Sequence, residues 1–167
     1  HPMTAVGTSS RTYEDFMTIR IGNAPCSWGV EFADDPRNPT WRQVLSDCAA
    51  AGYRGIELGP IGFMPEDPGV LGDALAENAL ELIGGVVFRP FHDPTKWDEV
   101  WDAAVRTCKS LTSHGAQHLV LIDSISPRRA PTAGRAKDAE PVFYGVPVLL
   151  LDGRKIRCWT SYFFLSH

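Results

Sequence analysis

The sequence predicts an α/β chain built as an incomplete (β/α) barrel: about four strand–helix units of TIM-barrel type, then a C-terminal β-hairpin. Three observations carry this. Apolar strand-like segments alternate with helix-like segments, and a helix between two strands returns the chain to the same end of the sheet, so the strands pair in parallel. The strands begin near residues 19, 55, 82 and 118, at intervals of 36, 27 and 36 residues, against about 31 when ~250 residues make eight units. The alternation breaks after Ser124, and the 167-residue chain is too short for eight such units.

Residues 1–16 are polar and lack the basic-then-apolar order of a secretory signal, so they read as a leader or remnant outside the fold. Residues 17–125 form the partial barrel domain. Ile19–Ser27 reads as a strand running into a loop, and Thr40–Ala51 as a helix. Thr40 is its N-cap, and Gln43, three residues on, completes a capping box. Trp41, Val44, Leu45, Cys48 and Ala49 share one face of it, and Gly52 ends it. Gly55–Gly59 is a short buried strand. Asp67 followed by Pro68 reads as an N-cap with proline at the first helical position, with Leu71, Ala74 and Leu75 on the apolar face and Asn78 at the end. Glu81–Phe88 is the third strand. Thr95–Gly115 is the longest helix, with a second capping box from Thr95 and Asp98 and an apolar stripe of Val100, Trp101, Ala104, Cys108 and Leu111. His118–Asp123 is the fourth strand. Residues 126–141 hold prolines and mixed charges without periodicity and form a linker. In the tail, residues 142–167, Val142–Leu151 and Lys155–Phe164 flank Asp152-Gly153 as two arms of an antiparallel hairpin, which does not continue a βαβ series.

Composition narrows the function classes. The chain is 44% hydrophobic with a formal net charge of -4, which suits one globular domain with a real core and leaves no basic footprint for nucleic acid. No apolar run reaches the ~18 residues of a membrane span. The four cysteines form no C-x-x-C pair, and Cys48 and Cys108 fall on apolar helix faces. A reduced, cytoplasmic compartment is the expectation.

IGNAPCSWGVEF (21–32), TWRQVLSDCAAAGYRGIELGPIGFMPEDP (40–68) and the strand–helix–strand run from Glu81 to Asp123 resemble the sugar phosphate isomerase/epimerase superfamily, the xylose-isomerase-like barrels, and within it the inosose dehydratase branch. The resemblance covers about two thirds of the chain. It implies an enzyme acting on a small-molecule sugar or polyol. In such an enzyme a divalent metal (Mn, Co or Zn) polarises a carbonyl while carboxylates move the neighbouring protons. The principal metal ligands of the family lie on later strands that this chain does not contain, so no metal ligand is carried over. A second, short resemblance links VPVLLLDGRKIRCWTSYFF (146–164) to the last hairpin of limonene-epoxide-hydrolase and nuclear-transport-factor-like folds. There an aspartate before Tyr-Phe can be catalytic, and Ser161 stands at that position here.

In a parallel barrel function gathers at the C-terminal ends of the strands. That rule selects Glu57 and His92 as candidate catalytic residues and Asn23, Trp28 and Asp123 as candidate substrate-binding residues. Glu57 lies inside an apolar strand, where a lone carboxylate is costly. It reads either as a base or substrate acceptor, or as half of a structural salt bridge to Arg20 or Arg89. His92 reads as a proton relay or metal ligand; the alternative is a helix approach capped by Asp93 beside an exposed histidine. Asp123 reads as a substrate contact or a loop cap, while Asn23 and Trp28 shape the pocket. A sharper alternative brings Glu57, His92 and Asp123 together on one metal. Trp41, Trp97 and Trp101 are expected in the core, His114 and His118 in structural roles, and Arg128, Arg129, Arg135 and Lys137 in a solvated linker rather than a phosphate site.

Two functions from different classes follow. One is a metal-dependent isomerase, epimerase or dehydratase for a keto-sugar or inositol derivative. The other is a non-catalytic half-barrel that assembles with itself or a partner chain, because an open parallel sheet has two bare edges. The C-terminal hairpin is a second means of covering one edge.

Overall fold

The computed structural model describes residues 21–125, together with 130–132, 135, 150–151, 154–155 and 157–160. The leader, most of the linker and much of the tail, including Ser161, lie outside the described residues. The order is β1 (Gly22–Asn23), α1 (Trp41–Ala50), β2 (Gly55–Glu57), α2 (Pro68–Glu77), β3 (Glu81–Arg89), α3 (Trp97–Ser113) and β4 (His118–Asp123). Three short strands follow: β5 (Leu150–Leu151), β6 (Arg154–Lys155) and β7 (Arg157–Thr160).

Strands β1 to β4 lie side by side in chain order, all parallel. An order with no reversal, joined by right-handed crossovers, sets every helix on the same face of the sheet. The described part is therefore an open α/β sheet with the architecture of an incomplete (β/α) barrel, as the alternation predicts. The core fills the space between helices and sheet. Val44, Leu45 and Cys48 of α1, Leu71, Ala74 and Leu75 of α2, and Val100, Ala104, Cys108 and Leu111 of α3 close over Ile56, Leu58, Leu82, Val87, Leu119 and Leu121.

The tail departs from expectation. β5 and β6 pair antiparallel, Leu150 with Lys155 and Leu151 with Arg154, as a hairpin there requires. The arm beyond them does not stay with the hairpin. β7 runs parallel to β4, from His118 opposite Arg157 to Leu121 opposite Thr160, and becomes the fifth strand of the sheet. The unpaired N–H and C=O groups along an open β4 edge favour that pairing.

Helix ends follow local chemistry, with two corrections. Thr40 Oγ1 accepts from the Gln43 N–H at 3.2 Å, but the Gln43 side chain reaches on to Asp47 (2.7 Å), so only half of the first capping box forms. Asp67 Oδ1 accepts from the Val70 N–H at 2.9 Å, with Pro68 in the first turn. The second capping box is absent. Residues 94–96 make a 3-10 turn, α3 starts at Trp97, and Asp93 takes the capping role, accepting from the Thr95 N–H at 3.0 Å and its hydroxyl at 2.7 Å. Gly115, at φ 74°, ends the α3 region in the left-handed conformation that glycine adopts without strain.

The tryptophans are also reassigned. Trp41 packs against the core, with the Arg42 guanidinium 4.3 Å over its ring. Trp97 and Trp101 are 49% and 50% exposed. The buried face of α3 runs through Val100, Ala103, Ala104, Thr107, Cys108 and Leu111. At 100° per residue Trp101 falls at the edge of that face, about 20° past Cys108.

Candidate functional site

Each parallel strand delivers a polar residue to its C-terminal end: Asn23 on β1, Glu57 on β2, Arg89 on β3 and Asp123 on β4. The first is engaged with its own loop. Asn23 Oδ1 accepts from the Ala24 N–H at 2.8 Å and the Ser27 hydroxyl at 2.6 Å, which holds the Pro25–Trp28 turn. Trp28 is half-buried against the core. Pro25 lies under Gly59, where a Cβ would stand 2.8 Å from the proline ring, so the loops after β1 and β2 are packed directly on each other.

Glu57 faces away from the helices. Ile56 and Leu58 on either side are fully buried. The Leu58 Cβ lies beside Gly85, whose own Cβ would meet Thr107 and Leu111 of α3. Alternation along the strand therefore turns Glu57 to the opposite face of the sheet. It shares that face with Gly84, Val86 and Phe88 of β3 and with Val120 and Ile122 of β4, by register. The carboxyl is half-buried, and burial raises its pKa above the usual carboxylate range. Neither salt bridge expected from the sequence is seen among the described residues. Arg89 turns to Glu99 of α3 (3.5 Å) and donates to the Phe88 carbonyl at 2.9 Å, while Arg20 lies outside them.

His92 and Asp123 come together. Asp123 Oδ1 accepts from the His92 backbone N–H at 3.2 Å and faces the ring Nδ1 at 2.8 Å. The register that sets Arg89 opposite Asp123 delivers the loop after β3 to the tip of β4. A carboxylate can only accept, so Nδ1 carries the hydrogen, and in the neutral ring the lone pair is on Nε2. Both side chains are partly open to solvent. This is a histidine oriented by a carboxylate, an arrangement able to accept a proton and hold the resulting positive charge. Asp93, next to it, is held below the usual carboxylate range by the hydrogen bonds from Thr95.

The constellation is thus split. Glu57 stands opposite Gly84, whereas Asp123 stands opposite Arg89. The five steps along β3 from Gly84 to Arg89 span about 16 Å at ~3.3 Å per residue. Among the described residues no group of three His, Cys, Asp or Glu side chains is placed to hold a metal ion. The described residues therefore do not fit the divalent metal that the resemblance implies, and Glu57 does not join His92 and Asp123 on one.

One network was not foreseen. Arg106 donates from Nε to Glu66 (3.0 Å) and from Nη1 to Asp102 (3.2 Å), which ties the loop after β2 to α3 and lowers the Glu66 pKa. The i,i+4 spacing of Asp102 and Arg106 was visible in the sequence; the reach to Glu66, 40 residues away, was not.

No protein-family profile matches the chain. Over 68 residues it is 35% identical to the inosose dehydratases of Salmonella agona (strain SL483) and Salmonella typhimurium (strain LT2), a stretch covering 40% of this chain and 22% of each relative. The match thus spans about a fifth of the length of these curated relatives. A solved xylose isomerase-like TIM barrel/4-hydroxyphenylpyruvate dioxygenase fusion protein aligns with a TM-score of 0.47 at 17% identity, covering 64% of this chain and 16% of that one. Over the matched 68 residues this chain is similar to inosose dehydratase, which bears out the resemblance to the sugar phosphate isomerase/epimerase superfamily read from its sequence.

Proposed function

We propose that this chain forms part of a barrel enzyme that moves a proton beside the carbonyl of a keto-sugar or inositol-like polyol. The observation that carries the reading is the His92–Asp123 pair at the C-terminal ends of parallel strands. In this reading His92 Nε2 takes the proton from the carbon next to the carbonyl, leaving an enediolate. Asp123 holds the ring and offsets the charge of the imidazolium. Return of the proton to the former carbonyl carbon, with the hydroxyl proton passing to the other enediolate oxygen, gives isomerisation, and its return to the same carbon on the opposite face gives epimerisation. Its delivery to a departing β-hydroxyl, lost as water, gives dehydration. Asn23 and Trp28 shape the mouth through the turn they build. Glu57, on the sheet face about 16 Å along the strands from the pair, is the second candidate base, and one sugar ring reaches only one of the two.

The test is turnover of 2-keto-inositol and of ketohexoses, assayed with and without added Mn, Co or Zn. His92→Ala should lower kcat by roughly 10²- to 10⁴-fold, the usual weight of a positioned acid–base group. Turnover that persists in His92→Ala and vanishes in Glu57→Gln would move the chemistry to Glu57.

A second reading, the non-catalytic half-barrel, is favoured by the sheet face that no described helix covers, where Ile83 and Ile122 are 37% and 38% exposed. It requires a chain with no turnover that associates through that face. β7 already occupies the β4 edge, so association by that edge is not part of it.

A further inference from the structure

Glu57 has a companion across the sheet that does not stand at a strand's C-terminal end. β3 carries one extra residue beside β2: Ile56 stands opposite Leu82 but Glu57 opposite Gly84, so Ile83 is a bulge. The bulge brings a glycine level with Glu57 where an unbroken ladder would bring an isoleucine; bulges re-aim side chains in this way. On the far side of Gly84 stands His118, the first residue of β4. A Cβ on Gly84 would lie 3.4 Å from the His118 Cβ. Leu119 and Leu121 are buried under the helices, so alternation turns His118 to the same face as Glu57. Carboxylate, glycine and imidazole form one row across three strands, the outer two backbones about 10 Å apart at ~4.8 Å per strand.

The His118 Nδ1 lies 3.3 Å from the Ile83 carbonyl oxygen. A carbonyl only accepts, so Nδ1 carries the hydrogen, and in the neutral ring the lone pair is on Nε2. Glu57 makes no hydrogen bond or ion pair among the described residues, and burial is the cause of its raised pKa; the two side chains do not meet over the glycine. Around them the face is apolar. Ile83 lies across Gly22 and Gly55, where an added Cβ would strike it, and Val86 stands beside Val120. A polyol brings many hydroxyls, each in need of a partner, whereas this row offers two acceptors between apolar walls. An ammonium has three N–H donors and no acceptor, and its charge answers an unpaired carboxylate. We propose that Glu57 and His118, on either side of Gly84, bind a small primary amine with an apolar body. The ammonium donates to the carboxylate and to His118 Nε2, and the body rests on Ile83, Val86 and Val120. This site is separate from the His92–Asp123 pair and goes beyond the proposed turnover.

The experiment is NMR titration of the full chain, in amine-free buffer, with cyclohexylamine and with cyclohexanol. The two probes share a ring, and at about pH 7 an alkylamine is an ammonium, as lysine is. Cyclohexylamine should saturate and shift the His118 ring nitrogens. Cyclohexanol should bind roughly 10- to 100-fold more weakly, the weight of a hydrogen bond to a charged group. Glu57→Gln should weaken the amine by a similar factor and leave cyclohexanol unchanged, and His118→Phe should weaken the amine roughly 2- to 10-fold. Equal binding of the two probes, no binding of the amine at millimolar concentration, or amine binding that survives either substitution would overturn the site. If a variant does not fold, the wild type decides: an amine that binds without moving the His118 ring signals overturns it. No turnover is read, so failure here leaves the His92–Asp123 reading standing, and failure of that reading leaves this site standing.

Discussion

At the scale of single residues, the two candidate groups of the proposed site behave oppositely. Asp123 takes two hydrogen bonds from His92 and sets the tautomer of the ring. Asp123→Asn keeps the shape but removes the charge that favours the imidazolium, so kcat should fall by roughly 10²-fold or more with KM little changed; steady-state kinetics on a ketose substrate checks it. Glu57 has no hydrogen-bond or ion-pair partner among the described residues, and burial raises its pKa. Below the carboxylate range it is protonated in folded and unfolded chain alike and is neutral to stability. As pH rises, the unfolded chain releases the proton first, so Glu57 subtracts from stability above that point. The melting temperature of Glu57→Gln should exceed that of the wild type by more at about pH 7 than at about pH 4. An advantage independent of pH would mean that the carboxylate is solvated or paired. The sequence marked both residues by one rule, polar groups at strand ends. It could not show that they stand on different levels, because that depends on where β2 and β4 each register against β3.

At the scale of elements, capping and packing decide where α3 begins and what it covers. Asp93 caps the turn before it, while Asp98 lies in its first turn with no reciprocal cap. Asp93→Ala should therefore cost about 0.5–2 kcal/mol in urea unfolding, and Asp98→Ala markedly less; equal losses would restore the capping box expected from the sequence. Gly85 is the contact point of β3 with α3. A Cβ there would lie 3.0 Å from Thr107 and 3.3 Å from Leu111. Gly85→Val should force the helix off the sheet and cost about 1–3 kcal/mol, measurable by the same denaturation. Helix periods were readable because every helix buries one stripe. The phase of that stripe was not, since Trp101 and Val100 are both apolar and only the fit against β3 tells which one turns inward.

For the molecule as a whole, the helices among the described residues lie on one face of the parallel sheet and leave the other, apolar face without one. Parallel sheets are ordinarily covered on both sides. Ile83 and Ile122 are more than a third exposed there, which predicts association. Sedimentation velocity should show concentration-dependent species that Ile122→Asn shifts toward monomer. A wild type that stays monomeric at high concentration would show that this face is covered within the chain. The tail bears on the same question: β7 adds a fifth parallel strand on the β4 edge, so the tail covers one edge, by a parallel strand rather than by an intact hairpin.

The amino-acid order alone determined the alternation of strands and helices, their parallel sense, the caps at Thr40 and Asp67, and the likeness to sugar-processing barrels. These are local or periodic properties, written in a few neighbouring side chains at a time. The tertiary structure alone decided that His92 meets Asp123, that Glu57 stands apart from them, that Trp97 and Trp101 face outward, and that β7 returns to β4. Each of these depends on register and helix phase between segments distant in the chain. A shift of one residue there reverses the face or changes the level, and leaves no trace in the pattern of apolar and polar residues.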